Sequence, residues 1–142
     1  MFLGRYSHSL DAKGRVAIPA RFREEIGTEA VLTRGIDRCL SLYPLSAWQP
    51  LADKVSGLSI SDPDARAFRR MFFAEAANVE FDRQGRMLIP PDLRRYAGLD
   101  GEALVVGMHT YVEIWSSAAW ESQAELMDRE GSSIAQRLAS LI

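Results

Sequence analysis

Several things are scarce in this chain of 142 residues, and each scarcity removes a class of protein. Cysteine occurs once, at Cys39, so a disulfide framework and a cysteine-based metal site are both excluded. His8 and His109 are the only histidines, and neither stands at metal-ligand spacing from a second ligand. No apolar run approaches the ~18 residues of a membrane-crossing helix. The first residues show no charged segment followed by an apolar one, so no signal peptide is expected, and a cytoplasmic protein is the simplest reading. Neither a Gly-x-x-x-x-Gly-Lys-Ser/Thr phosphate loop nor a Gly-x-Ser-x-Gly elbow is present. Cys39 stands in an apolar strand context, and Met71, Met87, Met108 and Met127 read as core filler. Catalysis, a cofactor and a small-molecule substrate are therefore not expected.

Charge of one sign is also lacking, since the net charge is −2. The balance is local. Residues 1–38 carry +2, residues 39–65 carry −2, residues 66–98 carry +3 and residues 99–142 carry −5. What an anionic partner senses is the local field, so a near-neutral total does not exclude one. The length fits one domain, and a domain of about 150 residues hides roughly two-thirds of its unfolded surface.

What the chain does have is a repeat. Residues 10–23 read LDAKGRVAIPARFR and residues 81–94 read FDRQGRMLIPPDLR. Asp11 and Asp82, Gly14 and Gly85, Arg15 and Arg86, Ile18 and Ile89, Pro19 and Pro90, and Arg23 and Arg94 all stand 71 positions apart. Solenoid units are shorter, roughly 20–50 residues. The pattern is that of a duplicated half-domain, which predicts a pseudo-two-fold body.

Each copy reads as a hairpin followed by a short helix and two more strands. Tyr6–Leu10 alternates with period 2, as a half-buried strand does. Asp11 opens a turn, and Gly14 suits the left-handed position that closes it. Arg15 then starts the returning strand, beside Asp11, and Pro19 ends it. Residues 20–26 suit a helix that buries Phe22 and Ile26, with Gly27 as its cap. The second copy repeats this order, with Leu93 and Tyr96 on its helix and Gly98 as the cap. A helix is expected behind Ser46 and another behind Ser117. Asp62 and Pro63 predict the cap and first position of a linking helix. A last helix is expected over about residues 133–141.

The expected fold class is α+β with a mainly β core. Two half-domains would pair their strands into one small pseudo-two-fold closed barrel with peripheral helices, because closure removes the open strand edges. The working boundaries are residues 1–52 for the first repeat, 53–77 for the linking helix, 78–121 for the second repeat and 122–142 for the C-terminal helices.

A single Asp-x-x-Gly-Arg is a common turn with a surface ion pair worth about 0–1 kcal/mol. Two copies, each with a second basic loop residue (Lys13, Arg83), make a different case. A two-fold arrangement would set Arg15 and Arg86 on one face. The major groove of duplex DNA admits a two-stranded ribbon, and arginine can donate two bonds to guanine O6 and N7. Asp11 and Asp82 would orient the guanidinium groups. Lys13, Arg83, Arg21, Arg23, Arg94 and Arg95 are candidates for phosphate contacts. This favours double-stranded DNA over a small anion.

The opening MFLGRYSHSLDAKGRVAIPARFRE, the paired Asp11/Arg15 and Asp82/Arg86 motifs and the later GLDGEALVVGMHTYVEIW together resemble the MraZ family, part of the swapped-hairpin AbrB/SpoVT-like group of bacterial transcription regulators. The resemblance spans essentially the whole chain. It implies a nucleoid-associated DNA-binding regulator with two AbrB-like halves. It also implies a homo-oligomeric ring on short G-containing direct repeats upstream of a division and cell-wall gene cluster that includes its own gene. The motif arginines are then Arg15 and Arg86. Ring contacts could use Trp120, Leu126, Ile134 and Leu138, which equally suit packing within the chain.

A second reading is a protein-binding module. Swapped-hairpin domains also occur in antitoxins, and the acidic stretch Glu121–Glu130 could meet a basic partner.

Overall fold

Both copies of the repeat fold into the same series of elements in the computed structural model, which describes residues Met1–Ile142. The first copy runs β1 (Arg5–Ser9), β2 (Arg15–Ala17), α1 (Ala20–Ile26), β3 (Glu29–Arg34), β4 (Leu40–Pro44) and α2 (Leu45–Ser56). The linking helix α3 (Pro63–Arg69) follows and runs into one π-helical turn, Arg70–Ala74. The second copy runs β5 (Ala77–Glu80), β6 (Arg86–Leu88), α4 (Pro91–Ala97), β7 (Glu102–Gly107), β8 (Val112–Ser116) and α5 (Ser117–Leu138).

The halves exchange strands. A six-stranded antiparallel sheet has the order β1-β7-β8-β4-β3-β5, so β1 lies on a strand of the second copy and β5 on a strand of the first. The order reads the same from either end once equivalent strands are matched, with the pseudo-dyad between β8 and β4. There Ser41 faces Glu113, flanked by Leu40 with Ile114 and Leu42 with Val112. The remaining strands, β2 and β6, pair with each other as a two-stranded ribbon. Val16 faces Met87, Arg15 faces Leu88 and Ala17 faces Arg86. That register maps onto itself when the copies are interchanged.

The fold class is α+β with a mainly antiparallel core, as the sequence implied, but the strands do not close into a barrel. The ribbon remains a separate sheet, joined to the large one by the single bridge Phe81–Met87. Its strands are only three residues long and run into Pro19 and Pro90, which have no N–H to continue a ladder. The ribbon is lengthened instead by two reciprocal bonds. Ile18 N–H donates to the Gly85 carbonyl and Ile89 N–H to the Gly14 carbonyl, each at 3.0 Å.

The core fills the space between the large sheet, the ribbon, α1 and α4. Val16, Met87 and Ile89 have no exposure, and Leu32, Leu40, Leu42, Val105, Val112 and Ile114 come from the inner face of the sheet. Phe22 on α1 and Leu93 on α4 occupy equivalent places, each almost fully buried. Phe22 takes Phe2 and Tyr6 edge-on, with ring centres 5.3 and 5.4 Å away.

The helix ends differ in detail from the sequence reading. Asp62 caps α3 through its side chain, which accepts from Asp64 N–H, with Pro63 at the first position. Ser46, however, lies inside α2, whose cap is Pro44. Ser116 rather than Ser117 caps α5. The C-terminal helices are one, since α5 runs unbroken through 22 residues and only a short 3₁₀ turn, Ala139–Leu141, follows. No glycine–proline stop divides it, and Gly131 is carried within the helix. The π turn of the linker is held by Thr33, a buried residue whose hydroxyl donates to the Phe72 carbonyl at 2.8 Å. No helix is long and apolar enough to cross a membrane.

Cys39 packs under Trp115 on the outer face of the sheet. Burial, with help from the Glu113 carboxylate 3.7 Å from its sulfur, pushes its thiol up to about 12. The thiolate is the reactive form. A thiol reagent at pH 8 is therefore expected to leave Cys39 untouched in the native protein and to label it once denaturant unfolds the chain. Met87→Ala opens the centre of the core and is expected to cost about 2–5 kcal/mol in a denaturant titration.

Candidate nucleic-acid interface

The two hairpin tips are built alike, bond for bond. Asp11 carbonyl accepts from Gly14 N–H at 3.0 Å, and Asp82 carbonyl from Gly85 N–H at 2.9 Å. Asp11 Oδ1 accepts from the N–H groups of Lys13 and Arg15, both at 2.9 Å. Asp82 Oδ1 accepts from Gln84 and Arg86 N–H at the same distance. An aspartate does this because its short side chain reaches its own backbone two residues on. Gly14 and Gly85 complete the turns at φ +85° and +75°, a region that favours glycine.

The second carboxylate oxygens hold the arginines. Arg15 Nε lies 2.6 Å from Asp11 Oδ2, and Arg86 Nε lies 3.0 Å from Asp82 Oδ2. Arg86 Nη1 also reaches Asp11 Oδ2 at 3.4 Å, across the pseudo-dyad. Asp11 therefore serves both arginines and brings the two motifs together on the outward face of the ribbon. The arginine side chains are 31% and 29% exposed, which leaves them neither buried nor free of the surface. Using Nε for the aspartate leaves the terminal nitrogens of Arg15 with no partner in the chain.

The carboxylates stay ionised. Accepting the Arg15 N–H, together with the Arg15 side chain and Lys13 N–H, holds Asp11 down at about 2. Asp82 is lowered in the same way by Arg86 N–H, then by Gln84 N–H and the Arg86 side chain. A depressed carboxylate contributes stability above its unfolded value, near 3.9, and loses it as pH falls through the folded value. The tips thus keep their charge across the neutral range, and the carboxylates' contribution is lost only in acid.

Of the other candidates, Lys13 and Arg83 are exposed at the tips and Arg21 is exposed on α1. Arg95 is exposed on α4 and bonded to Asp92. Arg23 and Arg94 are placed differently. Each lies half-buried over the turn glycine of the opposite copy. A Cβ on Gly85 would stand 2.5 Å from Arg23 Cζ, and one on Gly14 would stand 2.5 Å from Arg94 Cζ. Arg23 Nε donates to the Ile18 carbonyl at 2.9 Å, whereas Arg94 Nε is buried without a hydrogen bond. These guanidinium groups clamp the exchanged hairpins. The repeat carried a signal for that role. Arg23 and Arg94 recur at the 71-residue offset, as do the glycines they cover, whereas Arg21 aligns with Asp92 and Arg95 with Glu24.

Two outcomes test this geometry. Gly14→Ala is expected to destabilise by roughly 1–2 kcal/mol, the cost of a left-handed residue with a Cβ. Adding Arg94→Ala should not restore the loss, because the strain belongs to the backbone. Asp11→Ala should lower the Tm more than Asp82→Ala, because Asp11 alone also accepts from the other copy's arginine. Each variant's difference from the parent should shrink as pH falls through about 2, where the parent's own Asp11 takes up its proton.

The description "MraZ protein, putative antitoxin-like" belongs to a family model that matches this chain twice, over residues 1–71 and 72–140. A protein of Thermomicrobium roseum named "Transcriptional regulator MraZ" is 72% identical over 142 residues, the full length of both chains. One of that name from Acetivibrio thermocellus is 49% identical over 141 residues, covering 99% of each chain. One from Carboxydothermus hydrogenoformans is 46% identical over 142 residues, covering 100% of this chain and 99% of its own. With the doubled hairpin, the exchanged strands and the family pattern matched in both halves, the chain belongs to the MraZ family.

Proposed function

We propose that this chain is a sequence-specific, DNA-binding transcription regulator that reads guanine through Arg15 and Arg86, with Asp11 and Asp82 orienting them. The observation that carries the reading is the shared Asp11, which sets two arginines side by side on one two-stranded ribbon. A ribbon of this kind enters the major groove, where guanine presents O6 and N7. Lys13, Arg83 and Arg21 are the accessible cations for phosphates, joined by Arg95 when it exchanges Asp92 for DNA. Arg23 and Arg94 contribute mainly through the hairpins they hold. The relatives' name, transcriptional regulator, supports the same reading.

The regulator represses its own division and cell-wall gene cluster, on the nucleoid in the cytoplasm, by binding short G-containing direct repeats. It does so as a ring, in which each subunit keeps the halves at residues 1–52 and 78–121 joined by 53–77, with 122–142 extending outward. One ribbon offers few contacts, so affinity must come from several subunits on one frame. Helix α5 supports the assembly, since none of its 22 residues is buried and Met127 and Leu138 are each 47% exposed. The protein acts by binding, without a cofactor or small-molecule substrate.

The same helix favours one competing reading, an antitoxin-like module that holds a basic protein on Glu121–Glu130. Salt separates the two. Binding of the DNA preceding its own gene should weaken steeply with salt, as release of counterions requires. In a mobility-shift titration Arg15→Ala should lose about 1–3 kcal/mol of affinity without a change in oligomer mass. Lys13→Ala should weaken binding evenly across sequences and reduce the salt slope by about 1. Full affinity in Arg15→Ala would refute the role given to that residue.

A further inference from the structure

The outward face of the β2–β6 ribbon carries four side chains. Directly opposed residues of an antiparallel pair share a face. Arg15 lies across from Leu88, and Ala17 across from Arg86. Val16 and Met87, between them, are fully buried on the other face. One side of the pseudo-dyad thus presents arginine with leucine, and the other presents arginine with alanine. The arginines occupy equivalent positions, although only Arg86 also reaches the other copy's aspartate. Leu88 and Ala17 occupy equivalent places but differ greatly in reach. Leu88 is 55% exposed, a large apolar side chain left uncovered beside the two arginines.

This pairing has a chemical complement. In the major groove guanine offers O6 and N7 to an arginine, and thymine offers its apolar C5-methyl. Cross-strand neighbours have Cβ atoms about 4.5–5.5 Å apart, and successive bases of a strand stand about 3.4 Å apart. A guanidinium and an aliphatic chain at that spacing can meet a guanine and an adjacent thymine. We infer that Leu88 contacts a thymine C5-methyl beside the guanine read by Arg15, while Ala17, a lone methyl that is partly buried, stands back from the groove beside Arg86. The difference gives the bound element a direction. A head with two-fold symmetry would bind an element and its reverse alike. The loop pairs Ala12/Arg83 and Lys13/Gln84 also differ, but they are exposed tips suited to phosphates, which carry no base information. The inference rests on the DNA reading above and adds the base that Leu88 selects.

The test uses the full chain and the DNA preceding its gene, amplified once with dTTP and once with dUTP. Away from the primers the two fragments differ only by the C5-methyl. The parent chain should bind the uracil fragment about fourfold more weakly for each contacted methyl lost. Leu88→Ala removes an exposed side chain, so Tm and oligomer mass should match the parent's. It should bind both fragments alike, and as weakly as the parent binds the uracil fragment. Equal binding of the two fragments by the parent, with Arg15 still required, overturns this inference alone. A thymine preference that survives in Leu88→Ala overturns it as well, whether or not the oligomer mass changes. No binding of either fragment by the parent overturns the DNA reading and this inference together.

Discussion

Everything at the outward face depends on one exchange of backbone hydrogen bonds. The Gly14 carbonyl accepts from Ile89 and the Gly85 carbonyl accepts from Ile18, so each turn is completed by the other copy's return strand. Neither hairpin has this partner alone, and half-units with open edges are marginal at best. The exchange buries Val16 and Met87 back to back and fixes their register. With residues of period 2 inward, the flanking arginines have only the outward face left. The position of Arg15 relative to Arg86 is therefore a consequence of core packing, and Asp11 refines it by bonding both.

Placing carboxylates beside the paired arginines looks wasteful until their bonds are counted. Each aspartate satisfies two turn N–H groups that no strand can serve, and each takes the Nε edge of an arginine. That leaves both terminal nitrogens of Arg15 without a partner in the chain, and one of Arg86, whose Nη1 is shared with Asp11; a guanidinium held in a fixed plane suits two-bond recognition better than a free one. The depressed aspartate values keep the charge of the head constant through neutral pH. Salt, not pH, is then the variable that governs an anionic partner.

Much of this was legible because duplication leaves a numerical trace. The 71-residue offset predicted the pseudo-dyad, and the turn chemistry of aspartate and glycine predicted the tips. The open sheet was not legible, because three-residue strands ended by Pro19 and Pro90 decide closure through a ladder that sequence does not display. Arg23 and Arg94 recur at the repeat offset, but on short helices they read as cations free for phosphates. Only the exchange of hairpins reveals that each lies over a glycine of the opposite copy. Leu88 escaped notice because Met87, Leu88 and Ile89 form a continuous apolar run, which hides the period of the strand.

The two copies agree where they meet and diverge where they face outward. Phe22 and Leu93, Ile18 and Ile89, and Val16 and Met87 are all apolar and all buried. Arg21 against Asp92, Glu24 against Arg95 and Lys13 against Gln84 differ in charge. The largest divergence follows the last strands. After β4 the chain folds back as α2, α3 and the π turn, where Trp48 of α2 stacks on Phe72 of the turn at 5.0 Å. After β8 it continues as α5, which touches the sheet mainly through Trp120 against Trp115 and then runs on without a buried residue. A body with true two-fold symmetry tends to offer self-complementary patches, which close as dimers. A ring needs two different surfaces that join head to tail. The symmetric core sets Arg15 and Arg86 side by side, and the unlike helices offer two different surfaces, so one duplication followed by divergence at the periphery suits both the base reading and the ring proposed above.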